Sequence, residues 1–299
     1  MHSLRSWAVR TLLGAAIAGT LGTALAADYD GSPQVAEFVE EMTRDYGFAS
    51  EQLVSLFAEV ERKQAILDAI SRPAEKVKPW KDYRPIFITD KRIAQGVEFW
   101  KNNQAALEKA EAEYGVPPQF IVAIIGVETS YGGNMGNHRV LDALYTLAFN
   151  YPRSGDPDKL EREVRRELFF RDELAKLFEL ARMEKLDITT LKGSYAGAMG
   201  MGQFMPSSYL DFAVDGDGDG RRDLFTSHAD VFASIANYFV KKGGWVAGGQ
   251  VAVPATLDAG REEFNPTEWL PTHTLSDLAA RGYRPVGTVD PTATATPVT

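Results

Sequence analysis

The sequence predicts a mainly α-helical body with a small irregular C-terminal portion. Three observations carry this. Apolar residues recur at helical spacing over most of the chain from Val35 to Phe239. Glycines and prolines such as Gly47, Pro73 and Gly115 fall where those periodic runs stop. After Gly243-Gly244 only short strands are expected, around Val251–Val253.

The elements follow in order. Val35, Phe38, Val39, Met42 and Tyr46 mark a first helix that stops at Gly47. Ser50 is placed to cap a second, carrying Leu53, Leu56, Phe57 and Val60, and Pro73 closes that region. Ile93, Val97, Trp100, Leu107, Ala110 and Tyr114 form one long amphipathic face ending at Gly115. Pro117-Pro118 opens a helix apolar nearly all round, Phe120 to Val127, which is expected to be buried. Leu160, Val164, Leu168, Leu174, Phe178 and Ala181 mark a long, highly charged helix. Ser227 to Asp230 reads as a capping box for a helix through Val231, Ile235 and Phe239. No internal repeat is evident.

Composition excludes several functions. The 299 residues hold 32 Lys+Arg against 41 Asp+Glu, a net charge of −9, with no basic stripe for nucleic acid. With zero cysteines there is no disulfide framework, thiolate metal site, Cys nucleophile or lipid-modified Cys. Arg5 and Arg10 precede the apolar stretch Thr11–Leu25, which ends in Ala24-Leu25-Ala26. That pattern predicts a cleaved signal peptide over 1–26. The run is too short and too broken by glycines for a transmembrane anchor. A soluble, periplasmic product is expected.

Two stretches carry chemistry. Glu128 ends the apolar helix, where a carboxyl is costly to charge and its pKa should rise. A carboxyl kept protonated by an apolar wall is what a general acid on a glycosidic oxygen requires. The alternative is a Glu that surfaces at the helix end and pairs with an Arg. The Gly- and Ala-rich run from Ser194 to Pro206, with Gln203 in its midst, suits a wall where backbone approaches a flat polar ligand. It suits a tight helix crossing equally well.

Gly126-Val127-Glu128-Thr129, Gly193 to Gly200 and Gly202 to Tyr209 together resemble the lytic murein transglycosylase B family. The resemblance extends to Tyr83–Trp100, Tyr114–Pro118, Asn150 to Arg153 and Ile235–Tyr238, spanning roughly Val35 to Trp245. It implies a lysozyme-like (goose-type/SLT) helical catalytic domain. Its members cleave the MurNAc–GlcNAc β-1,4 bond of peptidoglycan without water, leaving a 1,6-anhydromuramoyl end. It places the acid/base at Glu128 and glycan contacts at Tyr83, Arg153, Ser194, Gln203 and Tyr238. Tyr83 and Tyr238 could equally be core aromatics, and Ser194 a cap. Peptidoglycan strands are the expected partner; proteins of cell-wall synthesis are a further class that the sequence leaves unnamed.

Asp215-Gly216-Asp217-Gly218-Asp219-Gly220-Arg221 matches the opening of an EF-hand loop, with acids at positions 1, 3 and 5 and the Arg221 carbonyl at 7. Position 12 is Thr226, so the closing Glu is absent. The family closes a longer loop with a later acid, matched here by Asp230. Structural calcium is expected, with a solvated Asp-Gly turn as the alternative.

The expected organisation is a signal peptide over 1–26, a catalytic domain over 27–249 with the EF-hand-like loop at 215–230, a partial C-terminal portion over 250–287, and a disordered Thr/Ala/Pro-rich tail over 288–299. Two features depart from the family. Ser154 stands where a second Arg usually follows Arg153, before an insertion-like run Gly155–Arg166. The family usually continues past this chain's end with a Tyr- and Asn-bearing segment that closes the groove, which leaves truncation open. Two rival functions follow: a hydrolytic muramidase leaving a reducing end, and a non-catalytic peptidoglycan-binding scaffold. Intact Glu128 and Gln203 favour the enzyme.

Overall fold

A computed structural model describes residues 32–72, 80–261 and 271–297. The signal peptide expected at 1–26 and the stop at Pro73 lie outside the described residues. The chain divides into two compact units, Met1–Glu59 and Val60–Thr299. The boundary therefore falls inside the single body expected over 27–249, and residues 250–287 do not separate from the larger unit.

In the smaller unit, α1 (Pro33–Tyr46) packs on α2 (Ser50–Ala58). The Ser32 hydroxyl accepts the Val35 amide at 3.3 Å, and Gly47 ends α1 with φ 69°. The Phe38 and Phe57 rings meet at 6.0 Å among buried Val35, Met42 and Leu53. Ser50 does not cap α2. It is the first helical residue, and the capping position falls on Ala49, which has no oxygen to offer.

The larger unit holds α3 (Gln64–Ser71), α4 (Trp80–Phe87), α5 (Asp90–Asn102), α6 (Gln104–Tyr114), α7 (Pro118–Thr129), α8 (Val140–Phe149), α9 (Pro157–Glu184), α10 (Pro206–Phe212), α11 (His228–Lys241) and α12 (Leu275–Ala280). The long helix expected from Ile93 to Tyr114 is two helices. At the break, the Asn103 side chain donates to the Phe99 carbonyl at 2.8 Å, an alternative to continuing the backbone ladder.

The middle of the core is α8, buried from Val140 to Ala148. It packs against α9, whose Phe170, Leu174 and Leu177 are buried, and against α3. Its two buried polar residues tie down the chain before α3. Asp142 accepts the Glu61 amide at 3.2 Å, and Thr146 accepts the Lys63 amide at 3.1 Å. Arg139 closes an ion pair onto Asp142. Every buried polar group here has a partner, which makes the burial affordable.

Among the described residues, three two-stranded antiparallel ribbons complete the fold. β1 (His138–Arg139) pairs with β2 (Lys192–Gly193), β3 (Ala255–Leu257) with β5 (Tyr283–Pro285), and β4 (His273–Thr274) with β6 (Thr294–Ala295). The strand expected at Val251–Val253 lies further on, at β3. The expectation of an unpacked tail from 288 also fails as far as residue 297. Val289 and Ala295 pack against buried Leu275, Leu278 and Tyr283, and β6 pairs with β4. Apolar Val289 and Ala295 outweigh the polar composition around them, because a small local core gives them somewhere to be buried.

Candidate active site

Helix α7 presents Glu128 one residue before its end. Pro118 stands at the first turn, where a missing amide costs nothing. Ile121 and Ile125 are fully buried, but Ala123 is exposed and Val127 is 43% exposed. The expectation of a helix buried all round is therefore corrected: one face opens to solvent, and Glu128 is on that open side. Burial by the surrounding protein nevertheless pushes the Glu128 carboxyl above its ordinary 4.5. Among the described residues it has no ion-pair partner and no hydrogen bond. The Arg-paired alternative is absent.

The chain leaves α7 through two consecutive non-glycine residues in the left-handed region, Ser130 (φ 51°) and Tyr131 (φ 63°). Such backbone is sustained only when its surroundings fix it. Here the Tyr131 hydroxyl donates to the Arg92 carbonyl at 3.0 Å. Its ring end sits where a Cβ at Gly126 would lie 2.7 Å from the hydroxyl, and Gly96 on α5 is crowded by the same atom. The two glycines thus make the slot that holds Tyr131. Thr129 Oγ1 donates to the Met201 carbonyl at 2.9 Å, joining the end of α7 to the Ser194–Phe204 loop.

That loop folds on itself. Ser194 N donates to the Ala198 carbonyl at 2.8 Å, and Met199 and Phe204 exchange backbone bonds at 2.9 Å. Its glycines are required by close approach to protein atoms. A Cβ on Gly200 would lie 2.5 Å from the Leu224 carbonyl, and one on Gly197 would collide with Leu144. Ser194 Oγ accepts the Ala196 and Ala198 amides at 3.3 and 3.0 Å, so it does serve as a local cap. Its hydroxyl proton remains to donate. Gln203 stands at φ 51°, and its Nε2 donates to the Met135 and Gly200 carbonyls at 3.2 and 3.0 Å. Two carbonyl partners fix the amide's orientation. Its Oε1 has no partner among the described residues.

Tyr238 on α11 is 37% exposed, with its ring held edge-on by Phe204 at 5.8 Å and Phe212 at 5.0 Å. The structure therefore joins Glu128, Ser194, Gln203 and Tyr238 through the α7 terminus and one loop. Arg153 is on the α8–α9 connection, ion-paired with Glu167. Tyr83 lies on α4, its ring 5.0 Å from Phe87. A cavity of about 460 Å³ lies beyond the α7 terminus, lined by residues that include Gly132, Asn134, Asn137, Lys192 and Phe225, and by none of the expected glycan contacts.

In the acidic loop, carboxylate oxygens of Asp215, Asp217 and Asp230 lie within 4.8 Å of one another. Three such oxygens at that spacing fit a hard cation such as calcium. Asp219, expected beside them, turns its carboxylate to the Arg221 amide at 2.8 Å. The Gly220 amide, with those of Gly218 and Asp219, holds the Asp215 carboxyl below its usual range. Asp230 is the opposite case, because its burial pushes it up. It also completes only half of the capping box. Ser227 accepts the Asp230 amide at 3.3 Å, while the Asp230 carboxylate accepts the Gly216 and Asp223 amides, both at 2.7 Å, across the loop.

The transglycosylase SLT domain family matches residues 30–298. The chain belongs to this family. It is 41% identical over 267 residues to the membrane-bound lytic murein transglycosylase B of Escherichia coli (strain K12), covering 86% of this chain and 69% of that protein. The catenated lytic transglycosylase SltB1 of Pseudomonas aeruginosa is 52% identical in structure-based comparison, with a TM-score of 0.78 over 89% of this chain and 84% of that one. The Escherichia coli lytic transglycosylase Slt35 in complex with calcium is 41% identical, with a TM-score of 0.75 over 87% of this chain and 78% of that one. The mainly helical, lysozyme-like architecture expected from sequence is thus the SLT fold. Among the described residues, no helix is long and apolar enough to cross a membrane.

The positioning roles of several residues of this SLT domain gave no signal in the sequence. Thr129, Tyr131 and Arg92 hold the end of α7, but the contacts that give them this role come from loops and helices distant in the chain. The two neighbours of Tyr131, Gly96 and Gly126, could have drawn notice as glycines inside helices, which usually mark a close approach.

Proposed function

We propose that this chain is a lytic murein transglycosylase that cleaves the MurNAc-β-1,4-GlcNAc bond of peptidoglycan, with Glu128 as its single acid and base. The observation that carries the reading is Glu128 itself: a carboxyl at a helix end, raised by burial and without an ion-pair partner among the described residues. A raised pKa keeps the proton available at pH values where an ordinary glutamate has lost it.

The chemistry follows from one carboxyl. Glu128 gives its proton to the glycosidic oxygen as the C1–O bond breaks, and the GlcNAc side departs as an alcohol. The substrate's 2-acetamido oxygen stabilises the positive C1, as in substrate-assisted glycosidases. The Glu128 carboxylate then takes the proton of the muramoyl C6 hydroxyl as that oxygen bonds to C1. Glu128 ends as it began, and no water is consumed.

Around it, Ser194 offers a hydroxyl donor and Gln203 a carbonyl acceptor, a complementary pair for sugar hydroxyls and N-acetyl groups. Tyr238 adds a ring held in place by Phe204 and Phe212. Tyr83 and Arg153 extend the glycan contacts along the strand. Asp215, Asp217 and Asp230, with the Arg221 carbonyl and Asp219, would hold calcium, whose contribution is to fix the loop that precedes α11. Export by the leader over 1–26 puts the enzyme in the periplasm, where its substrate is.

Mass spectrometry of the fragments released from purified sacculi tests the reaction. Muramoyl ends lighter by one water than the hydrolytic product are expected. Reducing ends would make the protein a hydrolytic muramidase, and no release with retained binding to sacculi would make it a scaffold.

A further inference from the structure

Arg92, in the first turn of α5, carries a guanidinium with no carboxylate partner among the described residues. Its contacts lie on two other elements. Nη2 donates to Ser130 Oγ at 3.2 Å, two residues past Glu128. Nη1 reaches the Phe87 carbonyl at 3.4 Å, and the guanidinium carbon lies 5.6 Å from the centre of the Phe87 ring. Phe87 closes α4, and its ring rests 5.0 Å from that of Tyr83.

The backbone of Arg92 is fixed in the same place. Thr89 Oγ1 accepts its amide at 3.2 Å, and the Tyr131 hydroxyl donates to its carbonyl at 3.0 Å. A planar cation fixed at its root, with one edge on a hydroxyl, another on a carbonyl and its carbon against an aromatic ring, spans two elements in a way a lysine ammonium does not. With no counter-charge among the described residues, its role is geometric.

We propose that Arg92 is a positioning residue that holds α4, and with it Tyr83, against the Glu128 end of α7, and so sets glycan affinity without taking part in proton transfer. The inference rests on the reading above, in which Tyr83 touches glycan. Loss of the clamp should loosen α4, whereas α7 keeps the Thr129 and Tyr131 bonds that hold its own end.

Binding of a soluble GlcNAc–MurNAc tetrasaccharide, measured by calorimetry in the Glu128→Gln background, gives the test. Arg92→Met and Tyr83→Phe should each weaken binding about tenfold, a change of about 1.4 kcal/mol. The double variant should be less than about twofold worse than the weaker single one, because both act through Tyr83. Arg92→Lys should not restore affinity. With Glu128 intact, Arg92→Met should raise KM and leave kcat within about twofold, a split that general destabilisation would not produce. Ser130→Ala, which removes only the acceptor hydroxyl, should weaken binding in the same direction and serves if Arg92→Met fails to fold.

Unchanged affinity in both Arg92→Met and Ser130→Ala overturns the proposal, as do fully multiplicative losses with Tyr83→Phe. A silent Tyr83→Phe overturns the glycan role of Tyr83, and the proposal falls with it. A costly Tyr83→Phe beside a silent Arg92→Met overturns the clamp alone.

Discussion

Thr129 Oγ1 donates to the Met201 carbonyl at 2.9 Å and accepts the Gly132 amide at 3.0 Å. The residue beside Glu128 is thereby bonded both to the Ser194–Phe204 loop and to its own exit turn. Thr129 is buried, so these bonds are not exchanged for water. Thr129→Val keeps the shape and strands two backbone groups, at a cost of about 1–3 kcal/mol. Denaturant unfolding should show that loss, together with lower turnover, and Thr129→Ser should recover most of both. A Val variant as stable as the parent would contradict the link.

Tyr131 fits between α5 and α7 because Gly96 and Gly126 leave room for its hydroxyl. Gly96→Ala should destabilise the protein by about 1–3 kcal/mol through overpacking. Adding Tyr131→Phe removes the nearest atom, so the double variant should be more stable than Gly96→Ala alone. Thermal melts of the four proteins read this directly, and simple additivity would exclude the clash.

Glu173 on α9 is 2% exposed and has no cation beside it among the described residues. Its Oε2 accepts the Ser207 amide at 2.9 Å and its Oε1 pairs with the Ser207 hydroxyl at 2.5 Å, holding the start of α10. Burial pushes its carboxyl above 4.5, against the pull of the Ser207 bonds. The folded state therefore holds the proton more tightly than the unfolded one. Below the unfolded value this has no effect, and stability falls as pH rises through the raised folded value. Gln satisfies the same two partners without a charge. Glu173→Gln should therefore gain stability relative to the parent as pH rises above 4.5. A pH-independent difference in melting temperature would contradict this.

Calcium should stabilise chelator-treated protein by about 2.7 kcal/mol at a hundredfold excess over its Kd, and so raise its melting temperature. Asp217→Ala should abolish the response with little change in the calcium-free protein, since Asp217 is exposed and bonds the Ser227 hydroxyl at 2.9 Å. Asp230→Ala should destabilise even without calcium, because its carboxylate holds the Gly216 and Asp223 amides. An unchanged melt on adding calcium would remove the site.

What was legible in the sequence was what local chemistry dictates. Gly47 and Gly115 end helices at φ 69° and 67°, and Ser227 caps α11, because these choices depend on a few neighbouring residues. The central helix α8 left little amphipathic trace: it is buried on every side from Val140 to Ala148, so its polar Asp142 and Thr146 mark no solvent face. Glu128 was legible as a carboxyl out of place in an apolar run. The contacts that hold its helix were not, since Arg92 meets Ser130 and Thr129 meets Met201 only through the tertiary fold. The glycine-rich loop was ambiguous by composition, and both meanings hold. Gly197 and Gly200 answer to packing, while Ser194 and Gln203 keep a donor and an acceptor unspent.

Turnover of purified sacculi by Glu128→Gln bears most directly on the central assignment. Gln keeps the shape of the side chain and cannot supply a proton, and general acid–base help is worth about 10²–10⁴-fold. Fragment release should fall by at least about a hundredfold, with the melting temperature and binding to sacculi retained. A folded Glu128→Gln protein that kept more than about a tenth of the parent rate would show that the proton comes from elsewhere.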